Sequence, residues 1–338
     1  DSLQPLMPVE NESWSVADWS PDGSTLLLRR YVSINESYPA LFDVASGKRT
    51  MIPVPGEGKR SFGAMKFSSD GKTAYVASDA AGEFQHLARV DLKSFDFHWL
   101  TKVIPWDVEA IEVDPKSGQV AFTANVDGAS ALYLLEGDEP RRVELPVGIV
   151  GSLEFSPDGR SLGFSHLRSD APGDAWSLSL ADRKLTRWTF SEVGGLDAAR
   201  FITPQRIRFP SFDDRAIPAW YYRPKSATRE KPAAVLISIH GGPESQSRPT
   251  FSGLDQFYLN EMGIALLKPN VRGSDGYGKT YLTLDNAGKR EDSVRDIGAL
   301  LDWVKARPEL DADRVAVIGG SYGGYMVLAS LVHYSDRI

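Results

Sequence analysis

The sequence predicts two regions of different fold class, a partial β-propeller of about four to five blades followed by an α/β region. Three observations predict this. The first two hundred residues repeat a strand–turn–strand pattern, the residues from 233 onward alternate strand and helix patterns, and a G-x-S-x-G motif joins the last strand to the last helix. We place the boundary between residues 1–205 and residues 206–338.

Composition excludes several classes of function. The chain has 338 residues, a net charge of −7 and an isoelectric point near 5.4, which argues against nucleic acid as a partner. No apolar run is long enough to predict a membrane span. The sequence has no cysteine, so disulfides, thiolate zinc sites and cysteine nucleophiles are excluded. Neither the compartment (cytoplasmic, periplasmic or secreted) nor the oligomeric state follows from these residues.

The repeat in the first region is a hairpin with a characteristic turn. The equivalent positions Trp19, Phe67, Val113 and Phe155 are 48, 46 and 42 residues apart. The four copies read "ADWSPDGSTLLLRR", "MKFSSDGKTAYVAS", "IEVDPKSGQVAFTA" and "LEFSPDGRSLGFSH", and a fainter fifth, "ARFITPQRIRFPS", starts at Ala199. In the turns, proline presets φ, aspartate accepts local hydrogen bonds and glycine adopts the left-handed conformation.

Each copy is followed by further strand patterns, so one unit contains about four strands. Four strands at this period are typical of propeller blades. A sandwich built from unrelated hairpins is the alternative, and the regular period argues against it. Four tryptophans in this region are expected in the blade cores, namely Trp19, Trp99, Trp106 and Trp188.

Beyond residue 232 the pattern is that of a parallel sheet with flanking helices. Strands are predicted at 233–239, 264–268 and 314–318, and helices near 254–262, at 290–306 and from Gly323. The 290–306 helix is the best defined, because its apolar residues recur on one face and Pro308 follows its end.

Ser321 lies in the motif Gly319-x-Ser321-x-Gly323, the pattern of the nucleophile elbow in α/β-hydrolases. In that elbow the serine occupies a strained turn between a strand and a helix, and small neighbours are required because the backbone turns back tightly. The motif alone is common. Here "RVAVIGG" provides the strand and "GGYMVLASLVHY" the helix, which favours a catalytic serine over a structural glycine turn.

A second motif, "ISIHGGPESQ" at 237–246, leaves a hydrophobic strand where such a hydrolase carries an oxyanion donor. By itself it could be any turn at a strand end. Together with the elbow, it predicts an oxyanion hole formed by the N–H groups of Gly242 and Tyr322, which would stabilise the developing negative charge.

The sequence provides no convincing base or acid. The order in this architecture is serine, acid, histidine, so His240 is interpreted as ordering the oxyanion loop rather than as the base. The only downstream histidine, His333, is twelve residues along the same helix, which is about 18 Å of rise. Asp336 is the sole acidic residue after Ser321. We therefore expect this chain, taken alone, to be inactive.

Other polar clusters have simpler interpretations. Asp292, Asp296 and Asp302 are expected on the solvated face of their helix, with Glu291 and Arg295 forming an i,i+4 pair. The segment "NVRGSDGYGK" at 270–279 could line a pocket but does not match a phosphate-binding loop. No metal-ligand spacing occurs, so neither a metal nor an organic cofactor is predicted.

Taken together, these motifs resemble the prolyl oligopeptidase family of serine peptidases, in which a β-propeller is followed by an α/β-hydrolase domain. The resemblance rests on the S-P-D-G repeats, "SFDDRAIPAWYYRPK", "HGGPE", "NVRGSDGYGK" and "GGSYGGYM", and these are most similar to the acylaminoacyl-peptidase and oligopeptidase-like branch. It implies hydrolysis of short peptides by Ser321, with a propeller restricting access and no cofactor. Because the family has more blades and a longer hydrolase domain, the chain is expected to be a fragment truncated at both ends.

Two alternatives to a peptidase remain at this stage. An esterase or lipase would use the same elbow on the same hydrolase fold. The second alternative is a propeller that acts as a binding module and carries a degenerate hydrolase. The intact "GGSYGG" argues against it. Cleavage specificity, including the choice between endopeptidase and exopeptidase action, does not follow from the sequence.

Overall fold

The computed structural model describes residues 6–338, and these residues form five β-sheets. Four successive sheets, here named sheets 1 to 4, each consist of four antiparallel strands in sequence order. A fifth sheet of five strands, the mixed sheet, follows them along the chain. The predicted change from repeated hairpins to an α/β arrangement is therefore present in the structure.

The strands of sheets 1 to 4 are short and closely spaced along the chain. Sheet 1 contains β1 Ser13–Trp19, β2 Thr25–Ser33, β3 Glu36–Asp43 and β4 Arg49–Met51; sheet 2 contains β5 Phe62–Phe67, β6 Thr73–Ser78, β7 His86–Asp91 and β8 Phe97–Trp99. Sheet 3 contains β9 Val108–Val113, β10 Val120–Val126, β11 Ala129–Glu136 and β12 Glu139–Val143; sheet 4 contains β13 Ile149–Phe155, β14 Ser161–Leu167, β15 Asp174–Ser179 and β16 Leu185–Arg187.

The repeated turns form as their residue types predict. In sheet 1, Asp22 Oδ1 accepts hydrogen bonds from Ser20 Oγ at 2.7 Å and from the Ser24 N–H at 3.0 Å, and Gly23 has a φ of 71°. These hydrogen bonds lower the pKa of Asp22 to about 2. The same serine–aspartate contact recurs in the turns at Asp70 and Asp158, each followed by a glycine of positive φ.

Neighbouring sheets pack face to face through shared apolar cores. Sheets 1 and 2 share one cluster, sheets 2 and 3 a second, and sheets 3 and 4 a third. The first strands of adjacent sheets contact one another, β1 with β5, β5 with β9 and β9 with β13. Such stacking through the first strands is the arrangement of propeller blades around an axis.

The outer faces of sheets 1 and 4 differ from these shared cores. Trp19 is 52% exposed and Trp188 is 67% exposed, because no further sheet of the described chain packs against them. The prediction that these two tryptophans lie in blade cores is therefore wrong. Trp99 and Trp106 are partly buried and pack against apolar cores of sheets 1 to 3, as predicted.

The mixed sheet has the order β17-β18-β20-β19-β21. β17 pairs antiparallel with β18 and β18 with β20, whereas β19 pairs parallel with both β20 and β21. Its strands are β17 Gln205–Pro210, β18 Ala216–Tyr222, β19 Ala233–Ile239, β20 Ala265–Pro269 and β21 Leu310–Gly319. The parallel part brings the carboxyl ends of β19 and β21 side by side, which positions the candidate site.

Four α-helices accompany the mixed sheet: α1 Gly253–Asn260, α2 Lys279–Leu282, α3 Arg290–Lys305 and α4 Tyr322–Tyr334. The predicted apolar face of α3 is buried, with Val294, Ile297, Leu301 and Val304 at most 3% exposed, and it packs in the main core of the sheet. The strands and helices predicted in this region are confirmed within a few residues. No helix among residues 6–338 combines the length and the hydropathy needed to cross a bilayer.

The fainter fifth repeat does not form a sheet of its own. Its residues form a short 3-10 turn, Ala198–Arg200, and then β17. β17 pairs along its length with β18, and β18 continues into the mixed sheet by pairing with β20. The fifth copy therefore contributes one strand, β17, to the mixed sheet and forms no hairpin of its own, so the sequence similarity here reflects turn and strand chemistry alone.

Candidate active site

Ser321 lies at the junction between β21 and α4. It is the residue immediately before the helix, its side chain is exposed, and its backbone has φ 54° and ψ −121°. A positive φ is rare in residues other than glycine, costs about 1–3 kcal/mol and is common where a side chain must be held in one position. This is the geometry that the nucleophile elbow requires.

Glycines around Ser321 allow the backbone to turn back on itself. A Cβ on Gly319 would lie 2.6 Å from the carbonyl carbon of Gly323. A Cβ on Gly323 would overlap the carbonyl oxygen of Ile239, the last residue of β19. Both glycines of the motif are therefore required by close backbone contacts.

The loop after β19 reaches the serine directly. Ile239 pairs with Gly319 in the sheet, so the residues that follow them, His240 and Gly320, leave the sheet side by side. A Cβ on Gly241 would lie 3.5 Å from the Cβ of Ser321. The structure thus brings together the two motifs that the sequence singled out, 81 residues apart in the chain.

Gly242 has a φ of 124°, and a Cβ there would lie 2.6 Å from the backbone nitrogen of Glu244. Its N–H is not engaged in a backbone hydrogen bond within the described chain. Tyr322 is the first residue of α4, where an N–H has no acceptor within the helix. Neither predicted oxyanion donor gives its N–H to a backbone acceptor within residues 6–338.

The side chain of Tyr322 is anchored beneath the elbow. Its hydroxyl lies 2.8 Å from Ser293 Oγ and 3.3 Å from Asp285 Oδ2, and the Arg290 guanidinium lies 5.0 Å from its ring centre. Arg290 also pairs with Asp285 at 2.6 Å. Burial raises the pKa of Tyr322 and that of Asp285. The network fixes the residue whose N–H starts the helix.

The His240 ring is hydrogen-bonded to groups other than Ser321. Its Nε2 lies 2.9 Å from Ser274 Oγ and its Nδ1 lies 2.6 Å from the carbonyl oxygen of Gly241. Burial lowers the pKa of His240. These contacts are those of a histidine that orders the loop.

The candidates downstream of Ser321 do not approach it either. His333 Nε2 lies 3.2 Å from Glu291 Oε2 on the surface of α3, and Asp336 is exposed. Among residues 6–338, no hydrogen bond links the Ser321 hydroxyl to a histidine. The described chain therefore presents a serine and candidate oxyanion donors without a base.

Sequence reasoning missed the residues that hold this site in place. Ser274, Asp285 and Ser293 contact His240 or Tyr322, but their separations in sequence give no sign of it. Of these three residues, only Ser274 lies in a segment that the sequence marks as a possible pocket lining, "NVRGSDGYGK".

The predicted solvated face of α3 needs a correction. Asp292 and Asp302 are exposed or partly exposed, but Asp296 is fully buried and bonded to Arg272 and Ser211. The predicted pair between Glu291 and Arg295 does not form; Arg295 pairs with Asp292 and Glu291 bonds to Tyr325 and His333. Asp296 is covered by Ser211, which follows β17, and by Arg272, which follows β20, whereas the partners of Glu291 lie on α4. Helical periodicity reveals neither kind of contact.

No group of three or more histidine, aspartate or glutamate side chains in residues 6–338 has a geometry that could hold a metal ion.

Comparison with known proteins identifies similar sequences over most of the chain. Residues 249–337 match the profile described as the Prolyl oligopeptidase family. Dipeptidyl aminopeptidase BIII of Pseudoxanthomonas mexicana is 25% identical over 335 residues, which are 94% of this chain and 45% of that protein. Dipeptidyl-peptidase 5 of Porphyromonas gingivalis is 22% identical over 352 residues, covering 99% of this chain and 50% of that protein. The chain thus spans about half the length of these relatives.

Solved structures show the same fold. A puromycin hydrolase matches with a TM-score of 0.83 at 22% identity, covering 95% of this chain and 50% of that one. A structure from a study of two prolyl endopeptidases matches with a TM-score of 0.81 at 18% identity, covering 94% and 46%. These matches support a partial propeller joined to a hydrolase domain. The resemblance to the prolyl oligopeptidase family, drawn from the motifs, is confirmed by the profile match over residues 249–337 and by these relatives.

Proposed function

We propose that this chain contributes the nucleophile and the oxyanion hole of a serine peptidase that hydrolyses short peptides. The proposal follows from its resemblance to the prolyl oligopeptidase family. In this proposal residues 206–338 are part of the catalytic α/β-hydrolase domain, and residues 1–205 are part of a propeller that restricts access. The nucleophile is Ser321, and the oxyanion donors are the N–H groups of Tyr322 and Gly242. No cofactor takes part.

The observation that carries the proposal is the backbone of Ser321. Its φ of 54° and ψ of −121° hold an exposed hydroxyl at the end of a parallel strand, directly before a helix. A structural glycine turn would have no reason to keep a serine in a conformation that strains it.

The chemistry is acyl transfer in two steps. Ser321 Oγ attacks the scissile carbonyl carbon and forms an ester as the C–N bond breaks, and the serine proton passes through a base to the leaving amine. Water then hydrolyses the ester and regenerates the serine. The base is a histidine that residues 6–338 do not place against Ser321, so the proposal assigns it to another part of the whole protein.

The negative charge of the tetrahedral intermediate would lie between the Tyr322 and Gly242 N–H groups. The positive end of the α4 dipole adds to this stabilisation at the Tyr322 side. Loss of one such donor costs about 2.7–4 kcal/mol in comparable hydrolases. The anchoring of the Tyr322 ring by Ser293 and Asp285 supports a fixed position for its N–H.

The choice of a peptide over an ester rests on the relatives. One is named a dipeptidyl aminopeptidase and another a dipeptidyl-peptidase, and one puromycin hydrolase structure is a complex with PGG. An esterase would share the elbow. Turnover of acylated dipeptide amides distinguishes the two, and a whole gene product that hydrolyses p-nitrophenyl esters of simple acids but cleaves no dipeptide amide would contradict a peptidase.

The assignment of Ser321 is tested with a fluorophosphonate probe on the whole gene product. We expect Ser321→Ala to abolish covalent labelling, because the phosphorus–oxygen bond forms at Ser321 Oγ. Ser335→Ala, at the other end of α4, is the matched control and should label like the wild type. Labelling that survives Ser321→Ala would show that another residue is the nucleophile.

A further inference from the structure

The loop after β19, residues 240–248, is held by its own domain at several points. The Ser247 N–H donates to Asn270 Oδ1 at 2.6 Å, and Trp220 Nε1 donates to the Ser247 carbonyl at 3.0 Å. The Asp275 N–H donates to the Ser245 carbonyl at 2.9 Å. These contacts fix the middle of the loop against the mixed sheet.

The end of the same loop is bound by sheet 3. Arg248 forms a bidentate pair with Glu109, with nitrogen–oxygen distances of 2.7 and 3.1 Å. Arg248 Nε also donates to the Gly128 carbonyl at 3.1 Å, and Nη2 to Ser130 Oγ at 3.3 Å. One arginine of the loop therefore engages three residues of the propeller region.

A second contact lies beside the first. Asn125, a residue of β10 that is 4% exposed, donates through Nδ2 to Gln246 Oε1 at 2.8 Å and to Glu109 Oε1 at 3.0 Å. Its Oδ1 accepts from the Gly128 N–H at 2.9 Å. Asn125 thus connects the loop, the ion pair and the turn after β10 in a single network.

Close packing seals this network. Gly276 lies against it, because a Cβ there would stand 2.6 Å from Asn125 Nδ2 and 2.8 Å from Gln246 Nε2. A Cβ on Gly128 would stand 3.1 Å from Trp220 Nε1. The Arg248 and Glu109 side chains are only 22% and 31% exposed. Charge-assisted bidentate hydrogen bonds shielded in this way are stronger and more directional than surface ion pairs.

We propose that Glu109 and Asn125 of sheet 3 are positioning residues for the oxyanion loop. They hold Gln246 and Arg248, only a few residues after Gly242, and so hold the donor that faces the acyl group. The inference rests on the proposed function of Gly242. Its consequence is that the propeller region contributes to acylation itself, and does more than restrict access.

Hydrogen exchange on the 338-residue chain tests the physical contact independently of activity. We expect Glu109→Ala to speed amide exchange in residues 240–248 at least tenfold, Asn125→Ala to act similarly, and Glu109→Gln to have an intermediate effect because it retains an acceptor. The control is Asp138→Ala, which removes a bidentate pair with Arg89 remote from the loop. Unchanged exchange in the 240–248 peptide of Glu109→Ala would overturn the inference.

Acylation of the whole gene product tests the catalytic consequence. The maximal rate of reaction with a fluorophosphonate should fall at least tenfold in Glu109→Ala and by a smaller factor in Glu109→Gln. It should fall no more than twofold in Asp138→Ala. The rates are compared for variants whose thermal unfolding shows that they are equally folded at the assay temperature. If the wild type is labelled and Glu109→Ala is labelled at the same rate, the inference is overturned but the proposed function is not. Failure of the wild type to label would overturn the proposed function, and the inference with it.

Discussion

Helix α4 passes so close to β19 that Gly323 has no room for a side chain beside Ile239. A Cβ on Gly323 would overlap the Ile239 carbonyl oxygen and would stand 3.0 Å from that of His240. The contact joins the elbow to the start of the oxyanion loop, so the positions of the two motifs depend on one another.

Gly323→Ala should therefore destabilise the chain and displace the elbow. We expect a loss of about 3 kcal/mol or more in the free energy of unfolding by urea, since the contact is with rigid backbone and overpacking of this kind costs about 1–3 kcal/mol even where side chains can adjust. Gly324→Ala is the control, because its Cβ would meet only the Gly319 carbonyl oxygen at 3.7 Å. Equal stability of the two variants would contradict the close approach.

The strain at Ser321 predicts an opposition between stability and reactivity. Ser321→Gly should raise the free energy of unfolding by about 1 kcal/mol, since glycine adopts a positive φ without the penalty of about 1–3 kcal/mol. It should also abolish labelling. Ser335→Gly, at a helical φ of −58°, should instead lower stability. A loss of stability in Ser321→Gly, measured by urea unfolding, would argue against strain.

The buried pair of Arg272 and Asp296 should dominate the stability of the region around α3. Asp296 accepts from Arg272 Nη2 at 2.8 Å, from the Arg272 N–H at 2.9 Å and from Ser211 Oγ at 2.6 Å. Asp296→Ala leaves a buried guanidinium with less compensation and should cost about 3–5 kcal/mol.

Asp292→Ala, which removes the partly exposed partner of Arg295, is the matched variant and should cost no more than about 1 kcal/mol. Both values are obtained from urea unfolding at pH 7. Similar losses for the two aspartates would show that Asp296 is not the buried anchor described above.

Asp107 should make the folded chain less stable as the pH rises, which is the opposite of the usual effect of a carboxyl group. Burial raises its pKa to about 7, with further contributions from the charges of Asp275, Glu109 and Asp79. A folded-state pKa above the unfolded value means that the folded chain binds more protons between about pH 4 and 7, so this group's contribution to stability is lost as pH rises through that range.

Asp107→Asn removes the charge and retains an acceptor for the Gln85 N–H, which bonds to Asp107 Oδ1 at 2.6 Å. Relative to the wild type, it should stabilise the chain by about 2 kcal/mol at pH 8 and have little effect at pH 4. The value of about 2 kcal/mol is smaller than the free energy that corresponds to the whole pKa shift, because Asp107 is partly exposed. Asp91→Asn is the control of opposite sign, since backbone hydrogen bonds lower the pKa of Asp91. A stability difference for Asp107→Asn that is independent of pH would contradict the assignment.

The sequence by itself determined the elements and the two motifs. Local chemistry was sufficient for this, because Ser-Pro-Asp-Gly turns, the apolar face of α3 and the glycines around Ser321 act within a few residues. The nucleophile elbow was predictable for the same reason, since a strand, a strained serine and a helix are consecutive in the chain. The fifth repeat misled for that reason too, because its local pattern says nothing about which sheet its strands join.

Only the tertiary structure decided which side chains hold the site in place. His240 meets Ser274, Tyr322 meets Asp285 and Ser293, and Arg248 meets Glu109 from 139 positions earlier. Whether Asp296 faces water or Arg272 likewise depends on which loop covers α3. These partners are chosen by how sheets and loops pack in space, and hydrogen bonds between distant residues leave no periodicity in a single sequence.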